Sequence, residues 1–197
     1  MRRLSAESLR QKILEEATGI VYREGVDRIT MRALGEKLGY SPATIYLYFK
    51  NKDELLLEIA QHGFERLAER QRPGFDEPDP REALRRVVRG YLGFALENPA
   101  LYELMFQKLT PARDQADRQP HAQILFDSWK ELYARGLRAG VFRIPEFGVA
   151  GAFQTSLLHG FALLAISGRM PYPDSELTLS QVRDRLIDEL VDLIAPS

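Results

Sequence analysis

The chain has 197 residues, 45% of them hydrophobic and 28% charged, which is typical of a globular protein and excludes a disordered one. It contains no cysteine, so disulfide scaffolds and thiolate catalysis are excluded. No apolar run has the length of a membrane span, and residues 1–14 lack the apolar core of a signal peptide. We therefore expect a cytoplasmic protein with one large domain or two small ones and no membrane partner.

Charge is distributed unevenly along the chain. The net charge is −1, yet residues 1–52 hold ten Lys and Arg against six Asp and Glu, while residues 53–197 hold seventeen against twenty-two. Charge alone leaves two interpretations open: random fluctuation, or a small basic module on a larger acidic body. Under the second interpretation, the position of the basic residues matters more than their total.

The first two predicted elements are helices. Apolar residues recur at helical spacing over residues 9–21, and Gly25 ends that helix. Thr30 can cap a second helix, which Gly39 stops, because glycine readily adopts the left-handed backbone conformation of a helix C-terminus.

Two further helices follow at once. Ser41 can cap a third helix with Pro42 at its first position, where the missing N–H of proline costs nothing. Asn51 can cap a fourth helix, with Glu54 three residues later as in a capping box. We expect this fourth helix to reach about Arg70.

The strongest break in the chain is residues 72–80, which contain three prolines and one glycine. Helices restart after Asp79 and after Asn98, each of which precedes a proline, and residues 110–120 are expected to form a polar loop. No strand-like alternation is present, so the sequence predicts an all-α fold of about nine helices. The remaining helices are expected at 121–139, 146–168 and 178–194. The expected domains are a small N-terminal helical unit at 1–52, a connecting helix at 53–72 and a larger helical domain at 79–197.

Residues 29–49 have the layout of a helix-turn-helix. Gly39 suits the tight turn, and Gly35 lets the second helix cross closely over the first. Leu34, Leu38 and Ile45 are spaced to fill the junction. The turn alone does not decide the function, because glycine turns between short helices occur in many all-α proteins.

The residues on the second of these helices favour DNA binding. If Ile45 and Phe49 face inward, tyrosines remain on the other faces, where their hydroxyl groups suit phosphate oxygens. The first turn of such a helix usually meets base edges, and its small residues here allow close approach to the groove. The candidate DNA-contacting residues on this segment are Ser41, Pro42, Ala43, Thr44, Tyr46, Leu47, Tyr48, Lys50 and Lys52.

Residues 12–56 resemble the DNA-binding domain of the TetR/AcrR family of transcriptional regulators. Two positions depart from the usual pattern: Gly35 replaces an alanine, which we expect to loosen the helix slightly, and Tyr40 replaces a valine. The matching residues, in family order and spacing, are Thr30, Arg32, Leu34, Leu38, Gly39, Ser41, Thr44, Ile45, Tyr46, Tyr48, Phe49, Asn51, Lys52, Asp53 and Leu55.

The resemblance implies roles for individual residues. Thr30 is expected to bind phosphate, and Arg32 and Thr44 to contact bases. The other implied contacts are apolar base contacts from Pro42, Ala43 and Leu47, backbone contacts from Tyr46, Tyr48 and Lys52, and tail contacts from Arg2 and Arg3.

The C-terminal half has a weaker resemblance to one branch of the same family. Residues 90–106 and 157–164 resemble that branch, which often carries Trp-x-x-x-His-Gly, but Thr155 stands where the tryptophan would be. The family implies a homodimer. Small residues in 148–168 permit close helix approach, and the last helix carries an apolar stripe; both features also suit packing inside one subunit. The predicted interface residues are Leu157, Phe161, Leu179, Val182, Leu186, Leu190 and Ile194.

The family also implies a small-molecule effector. Clefts lined by aromatic residues suit apolar or aromatic ligands, although each candidate residue also suits an ordinary core. His159, in an apolar stretch, fits a hydrogen-bonded core histidine as well as a ligand contact. The candidate pocket residues are Phe94, Tyr102, Met105, Phe106, Phe126, Trp129, Tyr133, Phe153, Leu157 and His159.

Enzymatic activity is not expected. His62, His121 and His159 have no metal-ligand spacing, and the chain lacks nucleophile-elbow, phosphate-loop and dinucleotide motifs, so no catalytic residue, metal or cofactor is assigned. The expected function is a ligand-responsive repressor that binds a near-palindromic double-stranded operator and is released by a small molecule. A helical DNA-binding or adaptor protein without small-molecule control is the alternative.

Overall fold

The computed structural model describes residues 6–108, 120–172 and 176–196. Within those ranges the chain forms nine α-helices and no strand, which confirms the predicted all-α fold. Most of the predicted polar loop at 110–120 lies outside the described residues. The helices are α1 (Ala6–Glu24), α2 (Met31–Leu38), α3 (Pro42–Tyr46), α4 (Lys52–Phe75), α5 (Pro80–Glu97), α6 (Pro99–Glu103), α7 (Pro120–Arg138), α8 (Phe147–Ile166) and α9 (Leu179–Ile194), with a 3-10 turn at Val26–Arg28 and a π-helical turn at Leu104–Lys108.

Side-chain caps fix where several helices begin. In these helices, a side-chain oxygen of the residue before the helix accepts a hydrogen bond from a backbone N–H in the first turn. These caps include Thr30 for α2, Ser41 for α3, Asp79 for α5 and Thr178 for α9. Such a cap satisfies a donor that has no partner within the helix and contributes about 1 kcal/mol to stability. The predicted caps of α2, α3 and α5 are thereby confirmed.

Helix α4 extends beyond the predicted end at Arg70 and reaches Phe75, with Pro73 inside its last turns. Tertiary packing explains the extension, because Gly74 approaches α5 so closely that a Cβ there would lie 2.7 Å from the Val87 backbone nitrogen. The contact with α5 therefore outweighs the local preference of proline to end a helix.

The chain divides into two compact units. The first comprises residues 1–64 and 100–120, and the second comprises residues 65–99 and 121–197. The change from the first unit to the second falls inside α4, and the proline-rich stretch 72–80 lies wholly in the second unit.

In the first unit, α6 and the π-helical turn pack against α4. Gly63 leaves room for Met105, whose sulfur lies 2.5 Å from where a Cβ of residue 63 would stand. The Phe64 and Phe106 rings meet edge to face at 5.4 Å, and Tyr102 packs on Phe106 at 4.7 Å. Aromatic residues from around position 100 thus belong to the core of the N-terminal unit.

In the second unit, α5 packs against both α8 and α9. Its buried face includes Leu84, Val88 and Leu92, all 0% exposed. Two ion pairs, Arg81 with Asp192 and Arg85 with Asp188, connect α5 to α9 beside that core. Helix α9 is therefore held to its own subunit by one face.

Gly35 lies where α2 meets the turn before α3, and a Cβ there would lie 2.7 Å from the Tyr40 carbonyl oxygen. We expect Gly35→Ala to lower the free energy of unfolding by about 1 kcal/mol, because overpacking against backbone (about 1–3 kcal/mol) exceeds the gain in helix propensity (about 1 kcal/mol). Chemical denaturation followed by circular dichroism measures the change.

Gly19→Ala in α1 is the matched control. Its added Cβ meets only the flexible Arg23 side chain, at 2.9 Å, so the gain in helix propensity is expected to prevail and to stabilise the protein by about 0.5–1 kcal/mol. If the two substitutions stabilise the protein equally, the close approach of Gly35 to the turn is refuted.

Candidate nucleic-acid interface

The turn between α2 and α3 is set by Gly39. Its backbone has φ 75° and ψ 29°, the left-handed conformation that glycine adopts without strain. The Gly39 N–H donates to the carbonyls of Glu36 and Gly35, and the Tyr40 N–H donates to the Gly35 carbonyl at 2.8 Å. These bonds close α2 and leave only two residues before Pro42 begins α3, which fixes the crossing of the two helices.

The segment after Ser41 is helical but tightens towards its end. The regular α-helix ends at Tyr46, about one turn before Phe49, where the sequence predicts the end of the helix-turn-helix. The N–H groups of Tyr48 and Phe49 both donate to the Ile45 carbonyl, at 3.0 and 3.2 Å. Ile45 and Phe49 are 0% exposed, as expected for the inward face. Their burial anchors the segment and fixes which side chains face outward.

The outward face of this segment carries large side chains that the subunit does not cover. Tyr46 is 51% exposed and Leu47 is 82% exposed, directly beside the fully buried Ile45. Exposed apolar and aromatic side chains on a short helix indicate a surface that meets a partner. The residues of this segment predicted to contact DNA are exposed at Ser41, Pro42, Ala43, Tyr46, Leu47 and Lys50 and half-buried at Thr44, Tyr48 and Lys52.

Two side-chain hydroxyl groups at the start of α3 form a hydrogen bond with each other. The Ser41 and Thr44 side-chain oxygens lie 2.9 Å apart, and Ser41 also accepts the Thr44 N–H at 3.2 Å. At the start of α2, the exposed Thr30 likewise uses its hydroxyl oxygen as an acceptor for the Ala33 N–H, at 3.0 Å. Each hydroxyl keeps capacity for an external hydrogen bond, because a hydroxyl group both donates and accepts.

Positive charge remains uncompensated directly after α3. Lys50 and Lys52 have no ion-pair partner among the described residues. Four other cations of this unit are paired with carboxylates, whereas Lys12 on α1 and Arg28 before α2, like the two lysines after α3, have no ion-pair partner among the described residues. The paired cations are Arg10 with Glu58, Arg23 and Lys37 with Glu16, and Arg32 with Glu36.

Arg32, predicted to contact bases, forms a surface ion pair that the sequence analysis did not anticipate. Its Nε lies 2.9 Å from Glu36 Oε1, one turn along α2, and the two side chains are 82% and 64% exposed. An ion pair this exposed contributes little to stability. Arg32 therefore remains available to exchange Glu36 for another acceptor.

Arg10 positions the end of the α3 segment. Its guanidinium stacks over the Phe49 ring at 4.8 Å from the centroid and pairs with Glu58 on α4. Arg10 thus joins α1, the α3 segment and α4. Sequence reasoning missed this role, because nothing local connects residues so far apart in the chain.

The predicted pocket residues do not line one common pocket but lie in several different parts of the structure. Phe126, Trp129 and Tyr133 line a cavity of about 210 Å³ between α7 and α8. His159 is half-buried, and desolvation lowers its pKa, which favours the neutral imidazole. Of the others, Tyr102, Met105 and Phe106 belong to the first unit, Phe94 to the core of the second, and Phe153 and Leu157 to a more exposed surface of α8.

The predicted interface residues fall into two groups that differ in how deeply their own subunit buries them. Phe161, Leu190 and Ile194 are at most 3% exposed and belong to the core of their own subunit, because that face of α8 and α9 meets α5. Leu157, Leu179, Val182 and Leu186 are half-buried. On α8 and α9, three exposed large apolar residues were not assigned to the interface: Val149 at 60%, and Phe153 and Leu193 at 39% each.

Helix α8 is the only helix among the described residues that is long and apolar enough to cross a membrane, with a mean hydropathy of 1.5. Only 28% of that apolar window is buried within the subunit. In the same described ranges, no group of three or more potential metal-ligating side chains is close enough to hold a metal ion.

The all-α fold and the exposed outward face of α3 define a helix-turn-helix protein of the DNA-binding class. Residues 13–59 match the family model "Bacterial regulatory proteins, tetR family", and residues 84–192 match the model "Tetracyclin repressor-like, C-terminal domain". Together they cover most of the chain, which belongs to the TetR/AcrR family of transcriptional regulators. That family consists of DNA-binding regulators rather than enzymes.

Two curated relatives are similar over different lengths. The chain is 31% identical to the transcriptional repressor KstR of Mycolicibacterium smegmatis over 72% of this chain and 69% of KstR. It is 33% identical to an uncharacterised helix-turn-helix regulator of Haemophilus influenzae, over 50% of this chain and 54% of that relative.

Solved structures show the same fold. A Rhodococcus sp. RHA1 protein of unknown function superposes with a TM-score of 0.82 at 24% identity, covering 99% of this chain and 100% of that one. The TetR-family regulator PfmR of Thermus thermophilus gives 0.64 at 27% identity, with coverage of 91% and 97%. AibR, crystallised with isovaleryl coenzyme A and operator DNA, gives 0.64 at 21% identity, with coverage of 95% and 98%.

Proposed function

We propose that this regulator is a repressor that binds a near-palindromic operator as a homodimer and leaves it when a small molecule binds. The observation that carries the DNA-binding part is the outward face of α3: Tyr46 and Leu47 are exposed beside Ile45 and Phe49, which are fully buried. A short helix anchored by one face and presenting the other suits insertion into the major groove.

The proposed DNA contacts follow from that docking. Arg32 and Thr44 reach base edges, while Thr30 and the two tyrosines meet phosphate oxygens. The free charges of Lys50 and Lys52 lie where the helix leaves the groove and meets the backbone. The complete proposed set is Thr30, Arg32, Ser41, Pro42, Ala43, Thr44, Tyr46, Leu47, Tyr48, Lys50 and Lys52.

The proposed dimer uses what we name the α8–α9 surface, formed by Val149, Phe153, Leu157, Leu186 and Leu193. Leu157 belongs both to the apolar patch along α8 and to the groove shared with α9, so the two are continuous. A contiguous apolar surface of this kind needs a cover. A second copy of the chain provides one, since two helices from each subunit form a four-helix bundle about a twofold axis.

Repression and release are supported by the relatives rather than by this chain's geometry. KstR is named a repressor, and AibR was crystallised with an acyl coenzyme A and operator DNA. For the present chain, a ligand in the second unit would weaken DNA binding by favouring a separation of the two α3 helices that does not fit the operator.

Selection of bound sequences from a random DNA pool tests the proposal. The expected result is a near-palindromic site whose half-sites are spaced to match a twofold dimer. Recovery of no sequence preference, or of a single half-site bound by one subunit, would refute operator recognition by a homodimer.

Tyr46→Phe is expected to weaken binding to every DNA sequence by a similar factor. The substitution removes one phenolic hydroxyl per subunit and keeps the ring, so it removes a phosphate hydrogen bond but no base contact. A lost hydrogen bond in each of two subunits lowers affinity by roughly tenfold to a hundredfold. Fluorescence anisotropy with the selected operator and with unrelated duplexes measures both factors.

Arg32→Ala is the contrasting variant, because it removes a proposed base contact from the same docking surface. We expect it to change sequence preference, with a loss of about 1–3 kcal/mol per subunit on the selected operator and much less on unrelated DNA. If Tyr46→Phe left affinity unchanged on every duplex, the proposed docking of α3 would be wrong.

A further inference from the structure

The cavity between α7 and α8 is lined mainly by aromatic rings. Phe126, Trp129 and Tyr133 of α7 face Phe147 at the start of α8. The Phe147 ring meets Phe126 at 5.4 Å and Tyr133 at 5.5 Å, both edge to face. Ring faces and edges arranged in this way favour another aromatic ring in the space between the helices.

The size of the cavity limits what it can hold. Its volume of about 210 Å³ is below the roughly 300–1,000 Å³ of sites for drug-sized ligands. An apolar cavity of about 150 Å³ binds benzene. A molecule of one or two fused rings therefore fits, whereas a larger ligand requires the site to open.

One polar group in the wall has unused hydrogen-bonding capacity. Gln154 is 4% exposed, and its Oε1 accepts a hydrogen bond from the Tyr133 hydroxyl at 3.3 Å. That is the only hydrogen bond of the Gln154 side chain among the described residues, so its amide N–H groups are free to donate into the cavity. A ligand oxygen placed in the cavity would give these donors an acceptor.

The lining contains no charged side chain. The polar side-chain groups are the Gln154 amide, the Tyr133 hydroxyl, the Thr155 hydroxyl and the Trp129 indole N–H. Burial raises the pKa of the Tyr133 phenol far above its ordinary value, so the hydroxyl stays protonated. A carboxylate or ammonium group would lose its hydration without gaining a partner of opposite charge.

We infer that this cavity binds a small neutral aromatic molecule of one or two rings whose carbonyl oxygen accepts a hydrogen bond from the Gln154 amide. That such a molecule is the effector rests on the proposed function, whereas its binding to the cavity does not. Gly148 and Ala152 line both this cavity and the apolar patch on α8, so the cavity adjoins the α8–α9 surface.

Three probes of matched shape test the chemistry on the purified full chain: 2-acetylnaphthalene, 2-ethylnaphthalene and 2-naphthoate. Equilibrium dialysis measures affinity, and Trp129, the single tryptophan of the chain, reports occupancy by fluorescence. The ketone is expected to bind about fivefold to tenfold more tightly than the hydrocarbon because of the amide hydrogen bond. The carboxylate is expected to bind more weakly than either.

Gln154→Leu and Tyr133→Phe separate the hydrogen bond from the packing. Tyr133→Phe keeps the Gln154 donors, so the preference for the ketone is expected to persist. In that Tyr133→Phe background, where no phenolic hydroxyl is freed, adding Gln154→Leu is expected to lower ketone affinity to that of the hydrocarbon and to leave the hydrocarbon within about twofold. If the double variant keeps the full preference, the assignment of Gln154 is overturned.

Gly151 allows the cavity to be filled without disturbing the helix. A Cβ there would lie 3.9 Å from Phe147, an ordinary contact, so Gly151→Leu places its side chain in the cavity and is expected to abolish binding of all three probes. Gly151→Ala, the matched control, gains similar helix propensity but is expected to bind the ketone within about threefold of the parent chain. Unchanged binding by Gly151→Leu would place the ligand elsewhere and refute the site.

DNA binding distinguishes this inference from the proposed function. A chain that binds its operator but none of the neutral probes refutes the cavity assignment and leaves operator recognition standing. A chain that binds the ketone but no DNA supports the cavity and refutes the regulator proposal. Release of operator by the ketone from the parent chain and not from Gly151→Leu supports both.

Discussion

Leu193→Glu is expected to convert the proposed homodimer into a monomer and to lower operator affinity about a thousandfold. Leu193 is 39% exposed on α9 and lines the groove between α9 and Leu157 of α8. A buried, unpaired carboxylate on each side of a twofold interface opposes association, while the folded subunit still exposes that position to water. A monomer contacts the operator through only one α3, so the avidity gain of about 10²–10⁴ from the second, linked α3 is lost. Sedimentation at micromolar concentration and operator titration measure the two effects.

Ile124→Glu is the matched control for this prediction. Ile124 is 55% exposed on α7 and lies outside the α8–α9 surface, so the same change of side chain should leave the dimer intact. Val149→Glu is an independent test of the same interface. Because Val149 is 60% exposed on α8, the folded subunit is expected to tolerate this substitution. If both Leu193→Glu and Val149→Glu remain dimeric and bind operator normally, the proposed interface is wrong.

The helix-turn-helix could be predicted from sequence because its determinants are local. The caps at Thr30 and Ser41 and the left-handed turn at Gly39 each act within a few residues, and all three are present in the structure. The burial of Ile45 and Phe49 follows from helical periodicity once the start of α3 is known. Short-range rules therefore sufficed to orient the outward face.

Features that depend on contacts between distant segments could not be predicted in this way. The apolar stripe of α9 suits either a second subunit or its own α5, and only the packed structure shows that Leu190 and Ile194 face inward. The Arg10 stacking on Phe49 joins residues 39 positions apart. Periodicity indicates that a face is buried but does not name what covers it.

The aromatic residues illustrate the same limit. Tyr102 and Tyr133 are both almost fully buried and have similar neighbours in sequence, yet one belongs to the core of the first unit and the other to a cavity wall in the second. Gln154, the polar residue that gives the cavity its chemical preference, carries no sequence signal of its own. Its place in the wall depends on the pairing of α7 with α8, a contact across 21 residues.

Replacing both Lys50 and Lys52 with glutamine is expected to lower operator affinity about a thousandfold at ~0.1 M salt, because four phosphate contacts are lost per proposed dimer. Each contact contributes about 0.9 to the slope of log affinity against log salt. The two lysines have no carboxylate partner among the described residues, so their charge is available to DNA without breaking an ion pair. Titrations between ~50 and ~200 mM salt measure affinity and slope together, and the slope is expected to become shallower by about 3 to 4.

The control for this pair is Lys12→Gln combined with Lys130→Gln, which removes the same number of charges from exposed positions on α1 and α7. If net charge alone attracted DNA, both pairs would lower affinity and slope equally. Because phosphate contacts act at short range, the control is expected to change the slope by about one or less. Equal slopes for the two double variants would mean that Lys50 and Lys52 do not touch the DNA backbone, and the proposed docking of α3 would lose its electrostatic part.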